Sequence, residues 1–78
     1  MTETNQRILD NCLTAIQEAY DTLTEVREEE DMAYDELPES IREGERGDEM
    51  MDAIATLEVV TDSLEDIISN LEDFAYMV

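Results

Sequence analysis

The sequence predicts an all-α protein, an antiparallel helical hairpin that dimerises into a four-helix bundle, on three observations. Apolar residues recur in columns seven apart along two long segments, and the acidic residues fall on the opposite columns. The only proline and both glycines lie together between the two segments.

The first segment places Leu9, Ile16, Leu23, Glu30 and Leu37 in one column and Cys12, Ala19, Val26 and Ala33 in the next. Leu13, Tyr20, Arg27 and Tyr34 flank them. Three apolar columns of every seven is the width of a helix that packs in a bundle, and a strand reading would scatter the acids onto both faces. Thr2 or Thr4 can cap the start, and Pro38 ends the helix because its ring pushes the preceding residue out of the helical region. These limits predict a helix from about Glu3 to about Glu36.

Residues 37–47, LPESIREGERG, predict a turn. Pro38 suits a first helical position, Ser40 with Glu43 has capping-box spacing, and Gly44 and Gly47 are expected to release the backbone. Ile41 is out of phase with both stripes, so the first helix is not expected to run straight through.

The second segment has the cleaner pattern. Met50, Leu57, Leu64, Leu71 and Val78 form one column, Ala53, Val60, Ile67 and Phe74 a second, and Ile54, Thr61, Ile68 and Ala75 a third. Asp52, Glu58, Asp62, Glu65, Asp66, Glu72 and Asp73 occupy the opposite side, which predicts a helix over about 48–76. Two helices of similar length form a single 1–78 domain in which Leu37 is expected near Asp48, Val26 near Val60, Ile16 near Ile68 and Leu9 near Phe74. A lone hairpin covers only part of each three-column stripe, so self-association is expected. Leu9, Ile16, Leu23, Leu57, Val60, Leu64, Ile67, Ile68, Leu71 and Phe74 are the expected core and dimer residues.

Composition narrows the function. The chain has 23 acids against four arginines, no lysine and no histidine, for a formal net charge of −19. That excludes a basic footprint for nucleic acid or anionic membrane and any imidazole chemistry. With three tyrosines, one phenylalanine and no tryptophan there is no base-stacking platform. Cys12, the single cysteine, has no internal disulfide partner, and its place in an apolar column makes it an expected buried, inert thiol. The lack of a leader-like start and of an apolar run of about 20 residues leads to the expectation of a cytoplasmic protein.

The acids are concentrated. Residues 28–52 hold twelve of them against Arg42 and Arg46. The run Glu28-Glu29-Glu30-Asp31 near the end of the first helix sets negative charge against the negative end of its dipole. A local rule broken in this way marks a candidate site, here a partner-binding surface of Glu28, Glu29, Asp31, Asp35, Glu36, Glu39, Glu43 and Glu45. Glu30 stands in an apolar column and is expected to pair with Arg27, and Met32 is expected to pack on Met51.

No catalytic residue, metal site or cofactor is expected. The pairs Glu25/Glu28 and Glu49/Asp52 resemble the magnesium-holding acids of all-helical nucleotide pyrophosphohydrolases. They fall on outward columns, however, whereas bundle metal sites project inward, and there is no lysine to grip phosphate. No calcium loop of alternating acids with a central glycine can be read.

From Glu28 to Glu72 the chain resembles small acidic two-helix proteins of unknown function encoded by phages and prophages. The LPES turn, the ERG before the second helix and the steps Leu57-Glu58, Leu64-Glu65 and Leu71-Glu72 carry the resemblance. It implies a viral protein in the host cytoplasm, a setting in which small acidic proteins bind and block host proteins. The expected function is therefore a non-enzymatic inhibitor that occupies the basic surface of a host defence or nucleic-acid-binding protein by nucleic-acid mimicry. The alternative is a structural homodimer module whose acidity only confers solubility.

Overall fold

The computed structural model describes residues 1–77, with Tyr76 and Met77 described in backbone only; Val78, the last member of the Met50 column, lies outside the described residues. The protein is all-α, with no strand among those residues. Three helices follow in order: α1 (Glu3–Glu36), α2 (Glu39–Arg42) and α3 (Glu45–Met77). None is long and apolar enough to cross a membrane.

α1 begins where its cap dictates. Thr2 is extended, and its Oγ1 accepts a hydrogen bond from the Asn5 backbone N–H at 3.1 Å. The helix stops at Leu37, which is also extended and donates its backbone N–H to the Tyr34 carbonyl at 3.1 Å.

The turn departs from expectation in three respects. Pro38 is the N-cap residue of α2 rather than its first helical residue, and no side chain caps that helix, so Ser40 and Glu43 form no capping box. α3 starts at Glu45, three residues before the predicted Asp48, and takes Gly47 into its first turn. Neither glycine has a positive φ. Gly47 is needed for a close approach instead: a Cβ placed on it would overlap the Arg42 carbonyl oxygen and lie 2.7 Å from the Arg42 Cα. Gly44 faces no such obstruction, with its nearest neighbour at 3.5 Å.

The molecule measures 58 × 14 × 14 Å. A helix of α1's length rises about 51 Å, so α1 and α3 lie side by side rather than end to end. Two hydrogen bonds set their register: Gln17 Nε2 donates to Glu72 Oε1 at 2.9 Å, and Arg27 donates to Thr61 Oγ1 at 3.1 Å. Both partners lie further along α3 than the expected Val26–Val60 and Ile16–Ile68 pairings place them. The reason is that residues 39–42 are themselves coiled, so the chain reverses at Glu43–Gly44.

Burial follows a three-four alternation, to which half-buried Gln17 and Thr24 are added on α1. On α1 the half-buried residues include Leu9, Leu13, Ile16, Tyr20, Leu23, Arg27, Glu30 and Tyr34. On α3 they are Met50, Leu57, Leu64, Ile68, Leu71 and Ala75, with Gly47, Ile54 and Thr61 fully buried. This is the spacing of a two-helix seam. Of the expected core residues, Val60, Ile67 and Phe74 are exposed in the single chain, as are Cys12, Ala19, Val26 and Ala33 on α1. Along most of its length each long helix has one neighbour, and one neighbour covers two columns of three. The expectation of a buried Cys12 thiol is corrected for that reason.

The expected Arg27–Glu30 pair is also replaced. Arg27 crosses to α3, where Thr61 is 2 % exposed and leaves room for the guanidinium between Ile54 and Ile68 of the same column. The Thr61 hydroxyl in turn donates to the Leu57 carbonyl at 2.9 Å. Thr61→Val therefore strands the guanidinium and is expected to cost about 1 kcal/mol in urea unfolding, because an unmet half-buried donor costs more than its bond contributes. Adding Arg27→Leu should recover most of that loss, since replacing both partners of a bond by apolar groups is close to neutral. A cycle in which the two losses simply add would mean the bond carries no coupling.

Candidate partner-binding surface

All eight residues of the predicted surface are exposed. Glu28, Glu29, Asp31, Asp35 and Glu36 line the last turns of α1, Glu39 opens α2, Glu43 closes it and Glu45 opens α3. The short α2 packs against the start of α3, so the last three acids follow those of α1 around the turn. None of the eight side chains is in a hydrogen bond or ion pair among the described residues.

The helix ends explain where this charge is tolerated and where it is not. Glu39 in the first turn of α2, and Glu45 and Asp48 in the first turn of α3, lie at the positive ends of their helices, and Arg42 sits at the negative end of α2. The last turn of α1 contains no basic residue, so Asp35 and Glu36 are opposed by the helix dipole as well as by one another. Arg42 is half-buried and Arg46 exposed, two cations amid twelve acids between residues 28 and 52.

Other candidates fall differently. Glu30 is half-buried on the seam, away from the exposed cluster. Met32 is 59 % exposed and Met51 47 %, so each remains largely open to solvent instead of covering the other as expected. Glu25, Glu28, Glu49 and Asp52 are all exposed, and no group of three or more acids or thiols suited to a metal ion occurs among the described residues. A shallow groove lined by Gln6, Leu9, Asp10 and Ala75 lies at the far end of the rod from the acidic turn.

Sequence reasoning placed Gly47 in the turn and Thr61 in the apolar stripe but missed what each does: Gly47 lets α2 approach α3, and Thr61 accepts from Arg27 across the seam. Thr61 had a readable signal, a hydroxyl in an apolar column; Gly47 had only its identity.

Uncompensated charge of this density makes stability depend on ionic strength. Raising NaCl from ~20 mM to ~500 mM shrinks the Debye length from over 20 Å to about 4 Å and should raise the melting temperature by several degrees. A melting temperature that falls with salt would show that specific attractive pairs outweigh the repulsion.

Compared with known proteins, the chain matches no family model, no curated protein and no solved structure.

Proposed function

We propose that the chain acts by binding: an antiparallel helical hairpin, paired with a second copy in an acidic four-helix bundle, whose turn-end carboxylates occupy a basic surface of another protein. The observation that carries this reading is the exposure of Glu28, Glu29, Asp31, Asp35, Glu36, Glu39, Glu43 and Glu45 without an internal partner for any of them. Unpaired carboxylates in that number lower the stability of the free protein and are offset when a cationic surface is supplied. Glu28, Asp31 and Asp35 rise along α1 in steps of about 4.5 and 6 Å, comparable to the separation of phosphates along a nucleic-acid strand. The partner is then a protein built to hold nucleic acid. The resemblance to phage-encoded acidic proteins makes it a defence or nucleic-acid-handling protein of the host cytoplasm.

The test is capture from a bacterial lysate by the immobilised chain. At ~150 mM salt a nucleic-acid-binding or defence protein should be retained, and at ~1 M, where the Debye length is about 3 Å, it should be released. The variant Glu28→Lys, Glu29→Lys, Asp31→Lys should retain at least 100-fold less of it. A partner held equally well by that variant, or still bound at ~1 M salt, would leave the assembly module with merely solubilising acids as the better reading.

A further inference from the structure

The two long helices carry, on one side of the rod, a face that is both apolar and free of charge. Seven-residue columns assign it. α1 and α3 meet through the columns of Leu9 and Leu13 and of Leu57 and Thr61, and the Gln17–Glu72 hydrogen bond marks one flank of that seam. The columns containing Cys12 and Val26 on α1 and Val60 and Ile67 on α3 therefore lie together on the other flank. There Val26 and Val60 are 38 % exposed, Ile67 44 % and Phe74 47 %.

These columns, and those just outside them that hold Ile8 on α1 and Ser63 on α3, carry no charged residue from position 8 to 26 of α1 or from 53 to 74 of α3. In a chain that is 35 % charged this is a separation of charge by face. Asp21, Glu25, Glu58, Asp62, Glu65 and Asp66 all lie on the remaining columns.

We infer that this neutral face seats a second copy of the same chain, with the two acidic turns at opposite ends of the dimer. The inference deepens the four-helix reading proposed above by naming the contact face and the orientation. Three arguments select the occupant. A cationic partner is drawn to the acids and finds none on this face, whereas a second copy brings an equally neutral face and keeps both sets of carboxylates in water. Among the described residues the single chain fully buries only the side chains of Ile54 and Thr61, a small core for 78 residues, and covering Val60, Ile67 and Phe74 enlarges it. The face runs about 30 Å along the rod, and two such faces together bury on the order of 1,000 Å², within the lower range of specific interfaces.

Orientation follows from repulsion. With the turns at one end, twenty-four acids of two copies would crowd together; with the turns apart, each stays at its own pole. The product is a rod with an acidic binding pole at each end, capable of holding two partner molecules at once.

Sedimentation at ~100 µM should give twice the 9.0 kDa chain mass. Ile67→Asp and, independently on α1, Ala19→Glu should each return the mass to that of one chain, while Val59→Glu, on the charged side, should leave the dimer intact. Spin labels at Ser40→Cys in a Cys12→Ser background should lie about 60 Å apart, against less than about 30 Å if the turns share one end. A wild-type chain that sediments as one copy, a dimer that survives both substitutions, or a short label distance each overturns the proposal. Should Ile67→Asp lose its helical circular dichroism, the label distance in the otherwise native chain still decides. The Glu28→Lys, Glu29→Lys, Asp31→Lys chain keeps the neutral face and should remain a dimer, so loss of assembly and loss of partner capture are separable.

Discussion

Replacing Gly47 with alanine is expected to lower stability by about 3 kcal/mol or more, because the added methyl group would occupy space held by the Arg42 backbone. Side-chain clashes are relieved by rotamer changes. This one is with a carbonyl group, so α2 must lift from α3 or the first turn of α3 must unwind. For a chain of this size the melting temperature should fall by more than about 10 °C. Gly44→Ser is the matched control. Its Cβ meets only ordinary contacts at 3.5 and 3.6 Å, its φ is not positive, and the hydroxyl can cap α3, so stability should hold or rise by a few tenths of a kcal/mol. Similar losses in both variants, measured by urea unfolding, would mean that glycine flexibility and not the close approach is what the turn requires. The acidic surface is coupled to this joint, since α2 carries Glu39 and leads into Glu43. A loosened α2 should weaken partner capture even where α1 remains helical.

Ile54→Ala is expected to cost about 2 to 4 kcal/mol, the range for truncating a buried isoleucine. Ile54 is 5 % exposed and is the fully buried hydrophobic side chain of the chain's described residues. A domain of this length has a total stability of about 4 to 12 kcal/mol, so the change removes a large share of it. Val59→Ala provides the contrast. Val59 is 65 % exposed on the outer side of the same helix and should change stability by no more than about 0.5 kcal/mol. Equal effects at the two positions would mean that Ile54 is not held against α1 in solution. Because dimerisation adds buried area, both measurements belong at one fixed protein concentration.

These two variants act where the sequence was least informative, and the contrast is physical. The seven-residue columns of Leu9 and Leu57 reveal helices because the period of apolar residues is a local property, readable without knowing what each helix touches. Thr2 and Pro38 mark the ends of α1 for the same reason: a cap and a proline act on the backbone beside them. The exposed acids of the turn were legible as well, since carboxylates in that number find no buried site.

What the sequence by itself determined is thus the helical class, the limits of α1, the place of the turn and the acidity of that end. Only the tertiary structure decided that α3 begins at Glu45, that Arg27 reaches Thr61 and not Glu30, and that Cys12, Val60 and Ile67 stay exposed while Ile54 and Thr61 are buried. Each of these depends on distance between segments far apart in the chain. A three-column stripe does not say which two columns a single neighbour will cover; that is set by register and by how closely the backbones approach at Gly47.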